Sequence, residues 1–314
     1  ALTTTLASDI LSDPNLQFLI VGNALTTYGF NSPIRVSILG ELEIDVDFQF
    51  LNANILMDES SSIIFTQSNN IQFDIITSHL QGCKERNMWH GITIEGGFSN
   101  EVNVISSSVI EDAQVAIFSM SGGEFNINNS ILNKNNIGIT LGAFGGTHPG
   151  TFTNGSQIKC SNHFSNLDPG VLRAPFAGLV PEYGVDARYF GNIGSWTLGS
   201  QSNSQNVFYN LSNGIWFSDW TMEVRNAKFL NCSVGIGGFH DNSAGPGLGG
   251  QLVIGVGGSS YGSDFEDCSN GIVISRISLF AENNTFIDNT DCIKVHNPVL
   301  GATPPEIIKV EILD

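Results

Sequence analysis

Few side chains in this sequence carry reactive chemistry, and their spacing decides which reactions stay open. Asp267 and Asp288 stand 21 residues apart. If that interval is a structural repeat, the two carboxylates stack and repel unless a cation such as Ca2+ sits between them or both turn to water. Trp216 and Trp220 flank Phe217-Ser218-Asp219. In a strand, inward Ile215 and Phe217 would turn Trp216 outward, where a ring beside acidic and hydroxyl groups stacks on a sugar; the alternative is that both rings pack beneath the central loop. The six histidines, His79, His90, His148, His163, His240 and His296, offer no pair at helical or strand spacing for a metal, and each is expected in a loop. Arg35, Arg86, Arg173, Arg188, Arg225 and Arg276 lie outside any evident acidic cluster, so no base is visible beside a cation-bridged acid. The five cysteines include no Cys-x-x-Cys, which argues against zinc.

The elements that must position these groups come from a repeated unit. Residues 229 to 236, Phe-Leu-Asn-Cys-Ser-Val-Gly-Ile, have counterparts starting at Ile110, Leu132, Phe208, Phe265 and Phe286, and successive starts are separated by 22, 76, 21, 36 and 21 residues. A period near 21 with excursions is the signature of a solenoid carrying insertions. Apolar residues also stand five positions before the anchor (Ile105, Ile127, Val224, Ala281) and seven before it (Phe125, Met222, Leu279), a period of two that marks strand rather than helix. Ser107, Asn129, Asn226 and Asn283 stand three before the anchor, and Asp112, Asn210, Asn231, Asp267 and Asp288 stand two after it. Most of these are residue types that tolerate left-handed backbone at corners. The spacing predicts an all-β fold, a parallel β-helix of one domain with coils of about 21 residues. Cys232 and Cys268 share the column three after the anchor, joined by Cys83 if Leu80 is an anchor. Rungs stack about 4.8 Å apart, so packed free thiols and a disulfide are both open there.

The formal net charge is -18, from 12 basic and 30 acidic residues, and the basic ones are scattered. Such a surface argues against nucleic acid and anionic lipid as partners, and no apolar run reaches membrane-spanning length. The chain begins at Ala1 without a charged-then-apolar leader, as expected of a mature exported protein.

In chain order, 1–33 reads as an N-terminal cap, with helical spacing of Leu2, Leu6, Ile10 and Leu11 up to Asp13-Pro14. Coils are expected over 34–295, with early strands at 34–39, 42–46, 48–57, 63–67 and 71–76. Lys84-Glu85-Arg86-Asn87 is expected as an exposed loop, and 142–199, rich in Pro and Gly, as a long central excursion where function would concentrate, with coils at Phe152 to Ile158 and Tyr183 to Tyr189 inside it. The extension 296–314 alternates Ile308, Val310 and Ile312 against Lys309 and Glu311. Pro304-Pro305 is expected to stop this strand from continuing the last coil, leaving it to fold back as a cap or to pair with another molecule.

Gly82-Cys83, a charged loop, Met88-Trp89-His90-Gly91-Ile92, and then the units at Ile110 and Leu132 resemble secreted bacterial proteins of the pectin-lyase-like superfamily. The resemblance spans roughly Ile34 to Val295 and implies a right-handed β-helix at the cell surface, with no particular activity. A hydrolase of that superfamily would carry Asp-Asp-Cys, Gly-His-Gly and Arg-Ile-Lys; Thr290-Asp291-Cys292-Ile293 lacks one Asp of the first motif, and the other two are absent. The expectation is therefore a non-enzymatic extracellular structural or adhesive element, with end-to-end assembly through Ile308, Val310 and Ile312 as one outcome. The alternatives are a polysaccharide lyase or glycoside hydrolase beside the central excursion, and a lectin-like binder using Trp216 and Trp220.

Overall fold

The computed structural model describes residues 4–26, 35–65, 70–83, 87–95, 99–120, 122–142, 147–163, 165–188, 194–200, 204–240, 250–256, 258–296 and 310–313. Alternating apolar residues form short strands that stack in parallel as a β-solenoid of about nine turns. Each turn visits three faces in a fixed order. Among the described residues, sheet A has 11 strands, from Thr4–Leu6 to Asp291–His296, and sheet C has 10, from Val36–Ile38 to Thr285–Ile287. The face between them is divided into sheet B, with seven strands ending at Thr151–Thr153, and sheet D, with five strands starting at Ser195–Leu198. That division falls at the central excursion, where Gly199 N still donates to Phe152 O at 3.0 Å.

The anchors line up in sheet C. Ile55, Leu80, Ile110, Leu132, Ile158, Phe208, Phe229, Phe265 and Phe286 are successive register partners. Ile158 is the turn hidden in the 76-residue interval. From Phe208 to Phe286 the rings stack with centroids 4.8, 4.9 and 4.9 Å apart. Contacts of this kind add about 0.5–1.5 kcal/mol each beyond the area they bury. The Gly of each Gly-Ile pair has a packing cause: a Cβ on Gly235 would meet Phe265 at 2.7 Å and the carbonyl of Gly271 at 2.6 Å. Gly138, Gly184, Gly214 and Gly271 are held to glycine in the same way by Ile158, Phe208, Phe229 and Phe286.

The corners are left-handed as the residue types suggest, with φ of 62° at Asp112, 55° at Asn210, 53° at Asn231, 54° at Asp267 and 53° at Asp288. One buried column was not apparent from spacing. Two before the anchor stand Ser78, Ser108, Ser130, Ser156, Asn206 and Ser263, all buried. Side chains of this column bond backbone of the preceding turn, as Ser108 Oγ does to Ile75 O at 2.8 Å and Ser156 Oγ to Ile127 O at 3.2 Å, or of their own corner, as Ser130 Oγ does to Asn128 O at 3.0 Å. Buried corner backbone must be satisfied, and this column does it.

Three expectations change. The strand expected over 48–57 is two strands, Phe48–Leu51 and Asn54–Met57, split by a corner at Asn52 with φ 49°. The expected cap contains the helix Ala7–Ser12, but it also supplies rungs, because Thr4–Leu6 pairs with Glu41–Ile44 and Ala24–Thr26 with Phe48–Leu51, both in parallel. The closing strand Val310–Leu313 does continue the stack: it pairs in parallel with Ser278–Glu282, Val310 opposite Leu279 and Ile312 opposite Ala281. The prolines of the connection do not prevent this, because a strand in a separate rung needs only the correct register. Ile308 and the loop residues 84–86 lie outside the described residues.

Candidate functional site

Among the described residues, a group of ionisable side chains lies on the outer face of sheet C, covered by the excursion. Glu111, Asn133, Lys159 and Tyr209 are register neighbours on four consecutive rungs. Outward side chains of a solenoid ordinarily meet water, yet Asn133, Lys159 and Tyr209 are buried. The segment 160–182 crosses above them as a strap. Asn133 Nδ2 donates to Ser161 O at 3.1 Å, Lys159 Nζ to Asn166 O at 3.0 Å, and Tyr209 Oη to Leu167 O. At its far end, Arg173 donates to Gly82 O at 3.1 Å and Cys83 O at 3.0 Å, and its other terminal nitrogen meets Asp112 Oδ2 at 3.0 Å. The excursion thus brings an arginine to an acidic pair, Glu111-Asp112, that sequence spacing had left apart.

Burial shapes the titration of this group. It pushes the Asp112 carboxyl up to about 6 against the pull of Arg173, and Asp112 Oδ1 is buried without a hydrogen bond. Burial pushes the Glu111 carboxyl up as well, but His79, 2.7 Å away, outweighs it with help from Asn133, and the net direction is down. The Lys159 amine is lowered to about 8 by burial. An acid near 6 and an amine near 8 are values that catalysis uses. Here both groups are bonded to the strap, so the work their geometry supports is fastening it down.

His148 and His240 lie outside helices and strands, as expected, but both are buried. His148 is buried; Gly150 N donates to its Nδ1 at 3.0 Å, so Nε2 carries the hydrogen toward Ser119 Oγ at 2.8 Å. Ser119 in turn donates to Gly123 O at 2.6 Å. This is the reverse of an activated serine, whose hydroxyl must donate to the imidazole. Burial lowers His148 to about 4. His240 is also buried, with Nδ1 bonded to Asp219 Oδ1 at the corner after sheet A. His79, His90 and His296 lie in strands. One serine motif escaped the sequence reading: Gly258-Ser259-Ser260-Tyr261-Gly262 spells Gly-x-Ser-x-Gly. It forms a 3-10 turn, Ser259–Tyr261, before the strand Asp264–Glu266, which is not the strand-to-α-helix elbow that exposes a nucleophile.

The two tryptophans separate. Trp220 is fully buried, 6.2 Å from the His148 ring, and offers no face to a sugar. Trp216 projects from the outer face of sheet A, between the inward Ile215 and Phe217. Its ring lies on Gly237 of the next turn, where a Cβ would come within 2.0 Å, and 6.0 Å from Phe239. Asp186 is its register neighbour on the preceding rung; Arg188 grips that carboxylate at 2.7 and 2.9 Å and lies 4.2 Å over the Tyr183 ring. Asp267 and Asp288 occupy one corner column and are both exposed. No third carboxylate, histidine or cysteine joins them, or forms any metal-holding group of three, among the described residues. Asp291 and Cys292 are exposed on Asp291–His296. No described helix is long and apolar enough to cross a membrane.

No family model matches the chain, and neither a curated protein nor a solved structure does.

Proposed function

We propose that this protein is a secreted, non-catalytic β-solenoid that acts as a structural and adhesive element outside the cell. The observation that carries this reading is the strap: Asn133, Lys159, Tyr209 and Arg173 all bond to it or through it, so these groups are committed to holding the fold. A rigid rod with side chains spaced rung by rung suits repeated weak contacts, and Trp216, beside the Asp186 carboxylate that Arg188 grips, is the adhesive contact for a glycan. A glycan array tests this directly: binding should be present in the native chain and lost in Trp216→Ala.

End-to-end assembly is a second reading. Ile287 and Val295, each 44% exposed on the last rungs of sheets C and A, favour it together with the in-register strand Val310–Leu313. Filaments in electron micrographs that vanish on deletion of 305–314 would support it, and a chain that stays monomeric at high concentration would remove it.

A further inference from the structure

Cys232 and Cys268 follow the anchors Phe229 and Phe265 by three positions, and those anchors are register partners. Backbone bonds bracket the two cysteines: Asn231 N donates to Glu266 O at 3.0 Å and Ser269 N to Cys232 O at 3.1 Å. Rungs bonded this way stand about 4.8 Å apart, inside the Cα separation of roughly 4.4–6.8 Å that a disulfide requires. Both residues are 2% exposed, and each thiol faces backbone carbonyls of its own and the preceding turn: Cys232 Sγ donates to Leu230 O at 3.7 Å and Phe208 O at 3.8 Å, and Cys268 Sγ to Glu266 O at 3.5 Å and Phe229 O at 3.6 Å. Cys83 shares the column, but its neighbour on the next rung is Ala113. All five cysteines are free thiols in the structure.

We propose that Cys232 and Cys268 are a disulfide site that staples two consecutive turns. The 36 residues between their anchors include the glycine-rich interval 241–249, so this turn closes a longer loop than its 21-residue neighbours. A cross-link there removes more freedom from the unfolded chain than one across a single regular turn. The oxidant is a small-molecule disulfide. One cysteine thiolate attacks it and forms a mixed disulfide, releasing the first small thiol. The second cysteine then attacks that mixed disulfide, forming the protein S–S bond and releasing the second small thiol. Two protein thiols are oxidised and one disulfide is reduced.

The test is incubation of the full native chain with oxidised glutathione, followed by alkylation in denaturant and mass mapping. The expected result is a peptide pair linked through Cys232 and Cys268, with both residues unalkylated. The melting temperature should rise by about 5 °C or more over the reduced chain, and the rise should be absent in Cys268→Ser. Should Cys268→Ser fail to fold, the wild-type map decides alone. Alkylation of both cysteines after oxidation, or a link between other cysteines, overturns the proposal.

Discussion

Arg173 closes on Asp112 at 3.0 Å while donating to the carbonyls of Gly82 and Cys83, 91 and 90 positions earlier in the chain. One side chain therefore clamps the strap across two turns. Asp112 is almost fully buried, so removing its partner leaves an uncompensated charge. Because Arg173 itself keeps some solvent contact, Arg173→Met is expected to cost about 2–3 kcal/mol, toward the low side for a buried pair. Adding Asp112→Asn should recover most of it. Urea denaturation of the single and double variants checks both statements, and proteolysis within 160–182 should quicken in the single variant.

The same carboxyl predicts a pH effect. Asp112, raised to about 6 from 3.8, contributes stability that is complete below 3.8 and lost as pH rises through 6. His148, lowered to about 4 from 6.5, contributes stability that is complete above 6.5 and lost as pH falls through 4. Each effect is on the order of 3 kcal/mol, and they oppose one another between the two values. Asp112→Asn removes the first alone, so its stability should climb more steeply than wild type between pH 4 and pH 6.5, a window set by those two shifts. Equal slopes in denaturation series across that window would contradict the assignment.

Gly235→Ala forces a methyl against the Phe265 ring and the Gly271 carbonyl. The expected loss is about 1–3 kcal/mol. Phe265→Leu, less costly in the Gly235→Ala background than in wild type, would locate the clash at the ring in a double-mutant cycle.

The tryptophans should behave oppositely. Trp220→Ala empties a fully buried site and should cost about 3–5 kcal/mol. Trp216→Ala should leave the melting temperature within a few degrees of wild type and abolish glycan binding. Calorimetry and the glycan array read the two effects separately.

The solenoid was legible because anchors, glycines and left-handed Asn or Asp corners recur at fixed spacing. Coils at 152–158 and 183–189 were legible within the excursion, and the strands Thr151–Thr153, Gln157–Lys159 and Tyr183–Ala187 fall there, but Ile158 did not align as an anchor because the strap separates it from Gly184-Val185, its Gly-Ile counterpart. The outward direction of Trp216 followed from alternation with Ile215 and Phe217. The burial of Trp220 did not, since it lies past a corner where alternation restarts. Arg173 and Asp112 belong to different turns, and no local pattern links a residue in a long excursion to the rung it will cover. His148 and Ser119 were missed for the same reason.

The most direct test of the central claim is incubation of the full chain with acidic and neutral polysaccharides, with unsaturated and reducing ends measured over time. The account predicts no release above a protein-free control, at pH 5 as at pH 8, because Asp112 and Lys159 stay bonded to the strap. Release that scales with protein concentration and is lost in Lys159→Met or Asp112→Asn would contradict it.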